Sequence, residues 1–279
     1  MRIGFHISIA GSLDLAVDRA VEMGINTFQI FTRNPRGWHP KPLDPDVINL
    51  FKEKLGKVNI EPIFAHMPYL PNLASPKRAV YTYSVNALST ELKRCHQLGI
   101  PFLVTHLGSH LGSGKTGGFR RIVEAINHAF SEAEGDVILL LENTAGTANS
   151  MGSSFEDIRK IMDGISSDER VWICFDTCHA FSAGYDLSGR ETVEKILAWF
   201  DSVLGLKRLK LVHLNDSVGG LRSHRDRHEH IGLGKLGEKG FRAILNSEFR
   251  RCPMILETPI DERRRDLDNL LKVRALVKR

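Results

Sequence analysis

Short apolar runs alternate with longer amphipathic segments along the whole chain. The runs are rich in Ile, Val, Leu and Phe and show little polar alternation, which is typical of strands buried on both faces of a parallel sheet. They predict eight strands, at residues 3–7, 27–31, 62–65, 102–105, 137–141, 171–175, 209–212 and 253–256.

The segments between these runs carry the periodicity and the end signals of helices. Asp44 followed by Pro45 predicts an N-cap and a first helical residue, and Gly24 and Gly99 each follow a periodic segment where glycine commonly ends a helix. The predicted helices cover residues 12–23, 44–57, 77–98, 118–133, 154–162, 191–204, 238–245 and 262–277.

Eight strand–helix units in alternation predict an α/β fold, a parallel sheet that closes into a (β/α)8 TIM barrel. An open, doubly wound sheet is the alternative for the same pattern. No low-complexity linker or break in composition divides the chain, so we expect a single domain, residues 1–279. The functional side chains of such a barrel lie at the carboxyl ends of its strands.

Composition bears on the partners and the cellular compartment of this protein. Lys and Arg number 38 against 33 Asp and Glu, a formal net charge of +5, which suits a polyanionic partner without requiring one. The chain lacks a signal-peptide pattern and a long apolar stretch, and four cysteines are too few for a disulfide framework. We therefore expect a cytoplasmic protein that does not enter a membrane.

Six successive predicted strands end in a histidine or a carboxylate. One histidine at a strand end is commonly structural, but six such residues in order are harder to explain by packing, because unpaired charges at one rim repel each other. A shared cation removes that cost. The strand ends supply His66, His106, Glu142, Asp176, His213 and Glu257.

Two further segments add candidate ligands to this rim. Asp176 and His179 are spaced for one tight turn, whose two ends could serve neighbouring ions. Asp226 and His228 lie two residues apart in the loop after the seventh strand, and an extended backbone would direct both side chains to one side. Imidazoles and carboxylates without clear thiolate ligands favour Zn²⁺ or Mn²⁺, and nine candidates suit two or three ions.

Other chemically capable residues carry weaker patterns. His39, His224 and His230 lie in predicted loops without a partner pattern. Cys174 and Cys178 fall in or beside a predicted buried strand, where we expect small buried thiols.

Several stretches of the chain resemble the endonuclease IV family of DNA-repair apurinic/apyrimidinic endonucleases. They are residues 66–74, 105–110, 141–146, 174–180, 213–217, 226–234 and 256–259, and the resemblance covers essentially the whole chain. Pro71 stands where the family usually has an aliphatic residue, and Leu233 where an acidic residue is common. Neither is a ligand position, so these departures concern the DNA-contacting loops.

The resemblance implies a trinuclear zinc TIM barrel with three zinc ions per chain, and Mn²⁺ as an alternative at one position. Each ion would have its own ligand set, and one glutamate would bridge two ions. The implied sets are His66 and His106 with bridging Glu142, then Glu142 with Asp176, His213 and Glu257, and finally His179, Asp226 and His228.

The implied reaction is hydrolysis of the phosphodiester 5′ to an abasic site, which leaves a 3′-hydroxyl and a 5′-deoxyribose phosphate, with 3′-end cleaning as a related activity. Glu142 and Glu257 would be catalytic. Arg36 would insert into the base stack of the DNA, and Tyr69 and Leu70 would form a minor-groove wedge. Without the resemblance, these two residues would be expected to cap the barrel core. The expected partner is double-stranded DNA with abasic sites, bound by a monomer.

A sugar isomerase or epimerase of the xylose-isomerase-like barrels is the main alternative. That superfamily binds a single divalent ion with a quartet that Glu142, Asp176, His213 and Glu257 would satisfy. The five additional candidate ligands argue against it. A non-catalytic DNA-damage binder is a third hypothesis, and the intact ligand set disfavours it.

Overall fold

The predicted apolar runs form parallel strands in a computed structural model that describes residues 1–277. Ten strands occur within these residues: β1 (Ile3–Phe5), β2 (Phe28–Ile30), β3 (Ile63–His66), β4 (Phe102–Thr105), β5 (Ile138–Glu142), β6 (Val171–Asp176), β7 (Leu209–His213), β8 (Asp216–Ser217), β9 (His228–Glu229) and β10 (Met254–Leu256). Eight of them form one sheet in the order β1-β10-β7-β6-β5-β4-β3-β2.

The two ends of this sheet meet between β1 and β2. His6 pairs with Gln29 in parallel, and the Ile7 N–H donates to the Gln29 carbonyl at 2.7 Å. The predicted (β/α)8 barrel is therefore confirmed, and the open, doubly wound alternative is wrong. The predicted domain, residues 1–279, ends two residues beyond the described part, and its extent stays a prediction.

Nine α-helices lie in the same described part of the chain. They are α1 (Leu15–Glu22), α2 (Pro45–Gly56), α3 (Arg78–Leu98), α4 (Lys115–Glu132), α5 (Phe155–Met162), α6 (Thr177–Ala183), α7 (Arg190–Val203), α8 (Gly237–Leu245) and α9 (Asp266–Leu276). Short 3-10 turns occur at Asp168–Arg170, Leu206–Arg208 and Glu248–Arg251. The predicted end signals hold: the Asp44 side chain accepts the Asp46 N–H at the start of α2, and Gly99 ends α3 in the left-handed region at φ 72°.

The structure corrects the predicted helices at several points. α4 begins at Lys115 rather than at residue 118, and α9 begins at Asp266 rather than at residue 262. The start of α9 is late because Arg263 lies in the preceding loop, ion-paired to Asp261 and Glu229. The short helix α6 and the β8–β9 hairpin were not predicted, since each is too short for a periodic pattern.

The core has two parts, one on each face of the barrel sheet. The larger part lies between the sheet and the surrounding helices and contains residues from all barrel strands and most helices. The smaller part is a separate cluster from the strands, which fills the barrel interior as the fold requires. Among residues 1–277, no helix combines the length and apolar character needed to cross a membrane.

Candidate metal centre

The alternation of side chains along the barrel strands directs the predicted ligands inward. Side chains two residues apart on a strand share a face. The interior cluster includes Phe64, Val104, Leu140, Cys174, Leu211 and Ile255. The residues two positions further along each strand are His66, His106, Glu142, Asp176, His213 and Glu257. Six predicted ligands therefore form the next layer of the interior, at the carboxyl ends of the strands.

All nine predicted ligands come together at this end of the barrel. They form three groups, in each of which ligand atoms of all members lie within 4.8 Å of one another. The groups are His66, His106 and Glu142; Glu142, Asp176, His213 and Glu257; and His179, Asp226 and His228. The arrangement matches the ligand sets implied by the resemblance, with one glutamate shared between two groups.

Glu142 lies at the centre of the cluster and uses its two oxygens differently. Oε2 lies 3.2 Å from Nε2 of His66 and 3.0 Å from Nε2 of His106. Oε1 lies 3.1 Å from Nδ1 of His213 and 3.3 Å from Nδ1 of His179. Burial opposes ionisation of this carboxyl, but the imidazoles of His106 and His213 outweigh burial and hold its pKa well below its usual range. Glu142 is therefore a buried carboxylate that reaches two groups at once.

Three backbone carbonyl oxygens and one side-chain amide oxygen, which lie behind the predicted ligands, fix the orientation of four imidazoles. A backbone carbonyl only accepts hydrogen bonds, so the ring nitrogen facing it must donate. Nδ1 of His66, His179 and His228 faces the carbonyls of Met67, Asn143 and Glu257, at 2.7, 2.9 and 3.1 Å respectively. Nε2 of His213 lies 2.9 Å from Oε1 of Gln29. In each ring the opposite nitrogen faces the cluster, the orientation that metal-binding histidines require.

Local structure explains how Asp176 and His179 reach the same centre. Asp176 is the N-cap of α6, and its side chain accepts the His179 N–H at 2.7 Å. The predicted tight turn is therefore the first turn of a helix, which sets His179 one turn beyond the strand end. Nε2 of His179 then lies 3.0 Å from Oδ1 of Asp226.

The β8–β9 hairpin delivers the remaining pair. His228 begins β9, which pairs with β8 in antiparallel register, and Asp226 lies two residues earlier in the loop between these strands. The buried Asp216 anchors the loop after β9, because its carboxylate accepts N–H groups from Gly232, Gly234 and Leu236 at 2.9 to 3.0 Å. These bonds tie β8 to the loop after β9, and the hairpin between them carries Asp226 and His228 at the carboxyl end of the barrel.

The donor atoms at His228 fit a bound cation. Its Nε2 is buried and has no hydrogen-bond partner among the described residues. This nitrogen lies 3.7 Å from Oδ2 of Asp176 and 3.9 Å from Oδ1 of Asp226, too far for hydrogen bonds. Two ligand atoms on one tetrahedral zinc lie about 3.3 Å apart, given metal–ligand distances of about 2.0 Å. An unpaired buried nitrogen facing two carboxylates at such separations suits a shared cation.

Cys178 joins Asp176 and His228 in one further close group. Burial raises the pKa of its thiol to about 12, and its Sγ points at the Arg227 carbonyl, 3.6 Å away. The expectation of small buried thiols is confirmed for Cys174 and Cys178, which are free. The nine predicted ligands are all imidazoles and carboxylates.

Three amides support the ligands, and the sequence analysis gave them no role. Gln29 donates to Oε1 of Glu257 at 2.8 Å, and Asn215 donates to Oδ2 of Asp176 at 2.7 Å. Asn143 accepts the Asp176 N–H and donates to the Asp176 carbonyl. A role for Gln29 could have been detected from the sequence, because Gln29 is the one polar residue among residues 28–31, which otherwise read as an apolar, doubly buried strand.

The expectation that His230 lacks a partner is wrong. It is fully buried, and its Nε2 lies 3.0 Å from Oδ1 of Asp261 while Nδ1 lies 2.9 Å from the amide nitrogen of Asn269. Asp261 also pairs with Arg263, which reaches Glu229 on β9. These contacts join the hairpin to the loop after β10 and to α9. They were invisible because the partners of His230 and Glu229 are more than thirty residues away along the chain.

The predicted DNA-contacting residues lie on exposed loops beside the centre. Tyr69 and Leu70 are 68% and 38% exposed, so they do not cap the barrel core. Tyr69 packs edge-on against Phe31, with ring centroids 5.1 Å apart, and lines a cavity of about 990 Å³ together with His66, His106 and Glu257. Arg36 is exposed on the loop after β2. The cavity opens directly onto the candidate ligands.

Known proteins share the fold and much of the sequence of this chain. The family described as a xylose isomerase-like TIM barrel matches residues 17–276. A protein of Methanoculleus marisnigri named "Probable endonuclease 4" is 56% identical over 276 residues, 98% of each chain. The crystal structure of endonuclease IV from Thermus thermophilus superposes with a TM-score of 0.88 at 36% identity, over 99% of this chain and 98% of the other. A D-tagatose 3-epimerase-like protein, at 21% identity and a TM-score of 0.70 over 99% and 96% of the two chains, shares the fold alone. The chain belongs to the endonuclease IV family.

Proposed function

We propose that this protein is a zinc-dependent endonuclease that hydrolyses the phosphodiester 5′ to an abasic site in double-stranded DNA. The products are a 3′-hydroxyl and a 5′-deoxyribose phosphate, and the same chemistry serves to clean blocked 3′ ends. The observation that carries the proposal is the convergence of nine ligand-type residues into three groups, two of which share Glu142. The 56% identity to a probable endonuclease 4, over 98% of each chain, supports the same activity.

Each group would hold one zinc ion, with Mn²⁺ as an alternative at one position. His66 and His106 share Glu142 with the group of Asp176, His213 and Glu257, and His179, Asp226 and His228 make the third group. Bound zinc would supply an acidified water near neutral pH and positive charge against the phosphate oxygens.

Glu142 and Glu257 are the proposed catalytic residues, and each has a different role. Both oxygens of Glu142 face imidazoles, so its task is to hold the two halves of the centre at a fixed spacing. Glu257 lines the cavity, and Gln29 and Asn215 fix its carboxylate by donating to Oε1 at 2.8 Å and to Oε2 at 3.3 Å. Glu257 is therefore the carboxylate placed to orient an attacking water.

DNA recognition is proposed for the exposed loops around the cavity. Tyr69 and Leu70 present apolar surface that a protein without a partner would gain by burying. Inserted between base pairs, they would bend the duplex at the site that is cheapest to open, which is the abasic one. Exposed arginines on the hairpin loop are available for phosphates: Arg222, Arg225 and Arg227.

The single-metal isomerase hypothesis uses only part of this centre. Its quartet of Glu142, Asp176, His213 and Glu257 is present as one group. It assigns no task to the inward-facing ring nitrogens of His66, His179 and His228. Similarity to epimerase structures concerns the fold alone, so the endonuclease is the better proposal.

We further propose that the protein acts as a monomer in the cytoplasm. All nine candidate ligands come from one chain, so no partner copy is needed to complete the centre. The free thiols of Cys95, Cys174, Cys178 and Cys252 suit a reducing compartment. Size-exclusion chromatography with light scattering tests the first point, and a dimer at micromolar concentration would overturn it.

The decisive assay uses the purified zinc-loaded protein and an end-labelled duplex with one tetrahydrofuran abasic analogue. We expect one incision 5′ to the analogue, with a 3′ end that a polymerase extends, and no cut in the undamaged duplex. Binding without incision would favour the DNA-damage binder. Keto-sugar turnover with one metal ion per chain would favour the isomerase.

A further inference from the structure

A buried ionic cluster holds the loop that carries Arg36 against helix α3. It consists of Thr32 and Arg33 from the loop with Glu91 and Arg94 from α3, and none of the four is more than 7% exposed. Glu91 accepts from Nε of Arg33 at 2.5 Å and from the Thr32 hydroxyl at 2.6 Å. Arg94 donates to the Thr32 carbonyl at 2.6 Å and to its hydroxyl at 2.8 Å. The first residues of the loop are thus bonded to the helix through both side chain and backbone.

The same cluster shapes the turn at the tip of the loop. Arg33 donates from Nη1 to the Gly37 carbonyl, which closes the turn across Arg36. The Arg36 N–H donates to Oδ1 of Asn34 at 3.0 Å, so the backbone of Arg36 is fixed from both sides. Trp38 then packs on Tyr83 of α3, with ring centroids 5.5 Å apart. Arg36 is therefore an exposed side chain on a turn whose backbone is held by α3.

Buried charged groups are an energetically costly way to hold a loop, because they must lose their hydration. The carboxylate of Glu91 pairs with the buried Arg33, whereas the second buried guanidinium, that of Arg94, bonds to Thr32 and to the Lys41 carbonyl. Nη2 of Arg33 is buried without a hydrogen-bond partner among the described residues. Buried ion pairs of this kind commonly stabilise a fold no better than apolar side chains of similar volume. Their advantage here is directional, because Arg33 and Arg94 also donate to the Gly37 and Thr32 carbonyls and so fix these backbone groups.

We propose that Arg33, held by Glu91, is a positioning residue for DNA binding that fixes the turn presenting Arg36. The inference rests on the proposed abasic-site endonuclease activity and on contact between Arg36 and DNA. A loop without this clamp must lose its freedom when DNA binds, and that ordering weakens affinity. The candidate metal ligands belong to other elements, so a substitution of Arg33 leaves their positions unchanged.

The test compares the wild type with Arg33→Met, which removes the clamp but leaves Glu91 hydrogen-bonded to Thr32 and beside Arg94. We expect the Kd and KM for an abasic duplex to rise about tenfold, while kcat changes less than about twofold and zinc content is unchanged. Arg208→Met is the matched control, because Arg208 also joins a carboxylate, Asp168, and two carbonyls, at the opposite end of the barrel. It should lower the melting temperature and leave Kd unchanged.

A double-mutant cycle with Arg36→Ala separates positioning from general destabilisation. If Arg33 acts through Arg36, adding Arg33→Met to Arg36→Ala produces no further loss of affinity. Equal effects of Arg33→Met in both backgrounds, or a wild-type Kd in the single variant, would overturn the inference. If Arg33→Met does not fold, Arg33→Lys, which keeps the charge without the planar two-point donor, carries the same cycle. Failure of the wild type to cut abasic DNA would instead overturn the proposed function.

Discussion

The strand ends and the rim loops of this barrel are built in opposite ways. Glu142, Asp176 and His213 are fully buried and belong to strands or strand ends. Tyr69 and Ile260 lie on loops at the same cavity, and they are 68% and 93% exposed. The polar groups are thus inside and the apolar groups outside, the reverse of the usual distribution in a folded protein.

This difference assigns two tasks to two regions. A cluster of buried ligands keeps its geometry only on a rigid scaffold, so the strand ends suit the chemistry. Exposed apolar side chains cost solvation energy until a partner covers them, so the loops suit recognition. The comparison predicts that changes at the strand ends abolish the reaction, whereas changes on the loops weaken binding and leave the centre intact.

The largest effect is expected for Glu142→Gln, which removes the charge shared by two groups without changing shape. We expect incision to fall about 10³-fold or more, because charge stabilisation in the transition state is lost. The measurement is single-turnover cleavage of an abasic duplex, with circular dichroism to verify folding. Glu194→Gln, on the surface of α7, is the matched control and should cut normally. A Glu142→Gln enzyme with wild-type rates would contradict the proposed sharing of Glu142.

Asp216→Asn tests whether the hairpin is as rigid as the strands. The substitution places an amide donor against N–H groups of Ser217, Gly232, Gly234 and Leu236, which leaves at least one of them unpaired. We expect the free energy of unfolding to fall by about 3 kcal/mol, as measured by urea denaturation. A loss below about 0.5 kcal/mol is less than one typical hydrogen bond contributes. It would mean that the bonds of Asp216 do not hold the hairpin in place.

Tyr69→Ala tests the recognition side of the comparison. We expect the Kd for an abasic duplex to rise about 30-fold, because one stacking aromatic side chain contributes about 1–3 kcal/mol. Zinc content should be unchanged, as measured by mass spectrometry of the metal. Tyr69→Phe keeps the ring and should bind like the wild type. Loss of zinc in Tyr69→Ala would place this residue with the centre instead of the loops.

Ile260→Ala is expected to have the smallest effect. Ile260 lines the cavity from the loop after β10, and its removal reduces the apolar surface that DNA can cover. We expect about a fivefold rise in Kd, from roughly 1 kcal/mol of lost burial. Leu271→Ala, an exposed leucine on α9, is the control and should leave Kd unchanged. Equal effects of both variants would show that general surface apolarity, rather than position at the cavity, is responsible.

The barrel and its ligand layer could be predicted because both follow from local periodicity. Apolar runs of strand length predicted the eight barrel strands, and period-two alternation directs Glu142 inward above Leu140. Glu142, Asp176, His213 and Glu257 end successive strands, so barrel order alone brings them together. Grouping His179, Asp226 and His228 as a third set also needed the resemblance.

The rest of the centre depends on contacts between distant segments, which a single sequence does not display. Gln29 supports Glu257 across more than two hundred residues, and His230 meets Asp261 from a different loop. The clamp between Arg33 and Glu91 likewise joins a loop to a helix almost sixty residues away. Short elements such as α6 escaped because seven residues hold too little periodicity to distinguish a helix from a turn.

The central claim is that the rim holds three ions in three neighbouring groups. Crystals of the purified protein, measured above and below the zinc absorption edge, count the ions and identify their ligands together. The account predicts three anomalous peaks, one within each of the groups that contain His106, His213 and His228. A single peak among Glu142, Asp176, His213 and Glu257 would contradict it, and would return the protein to single-metal chemistry.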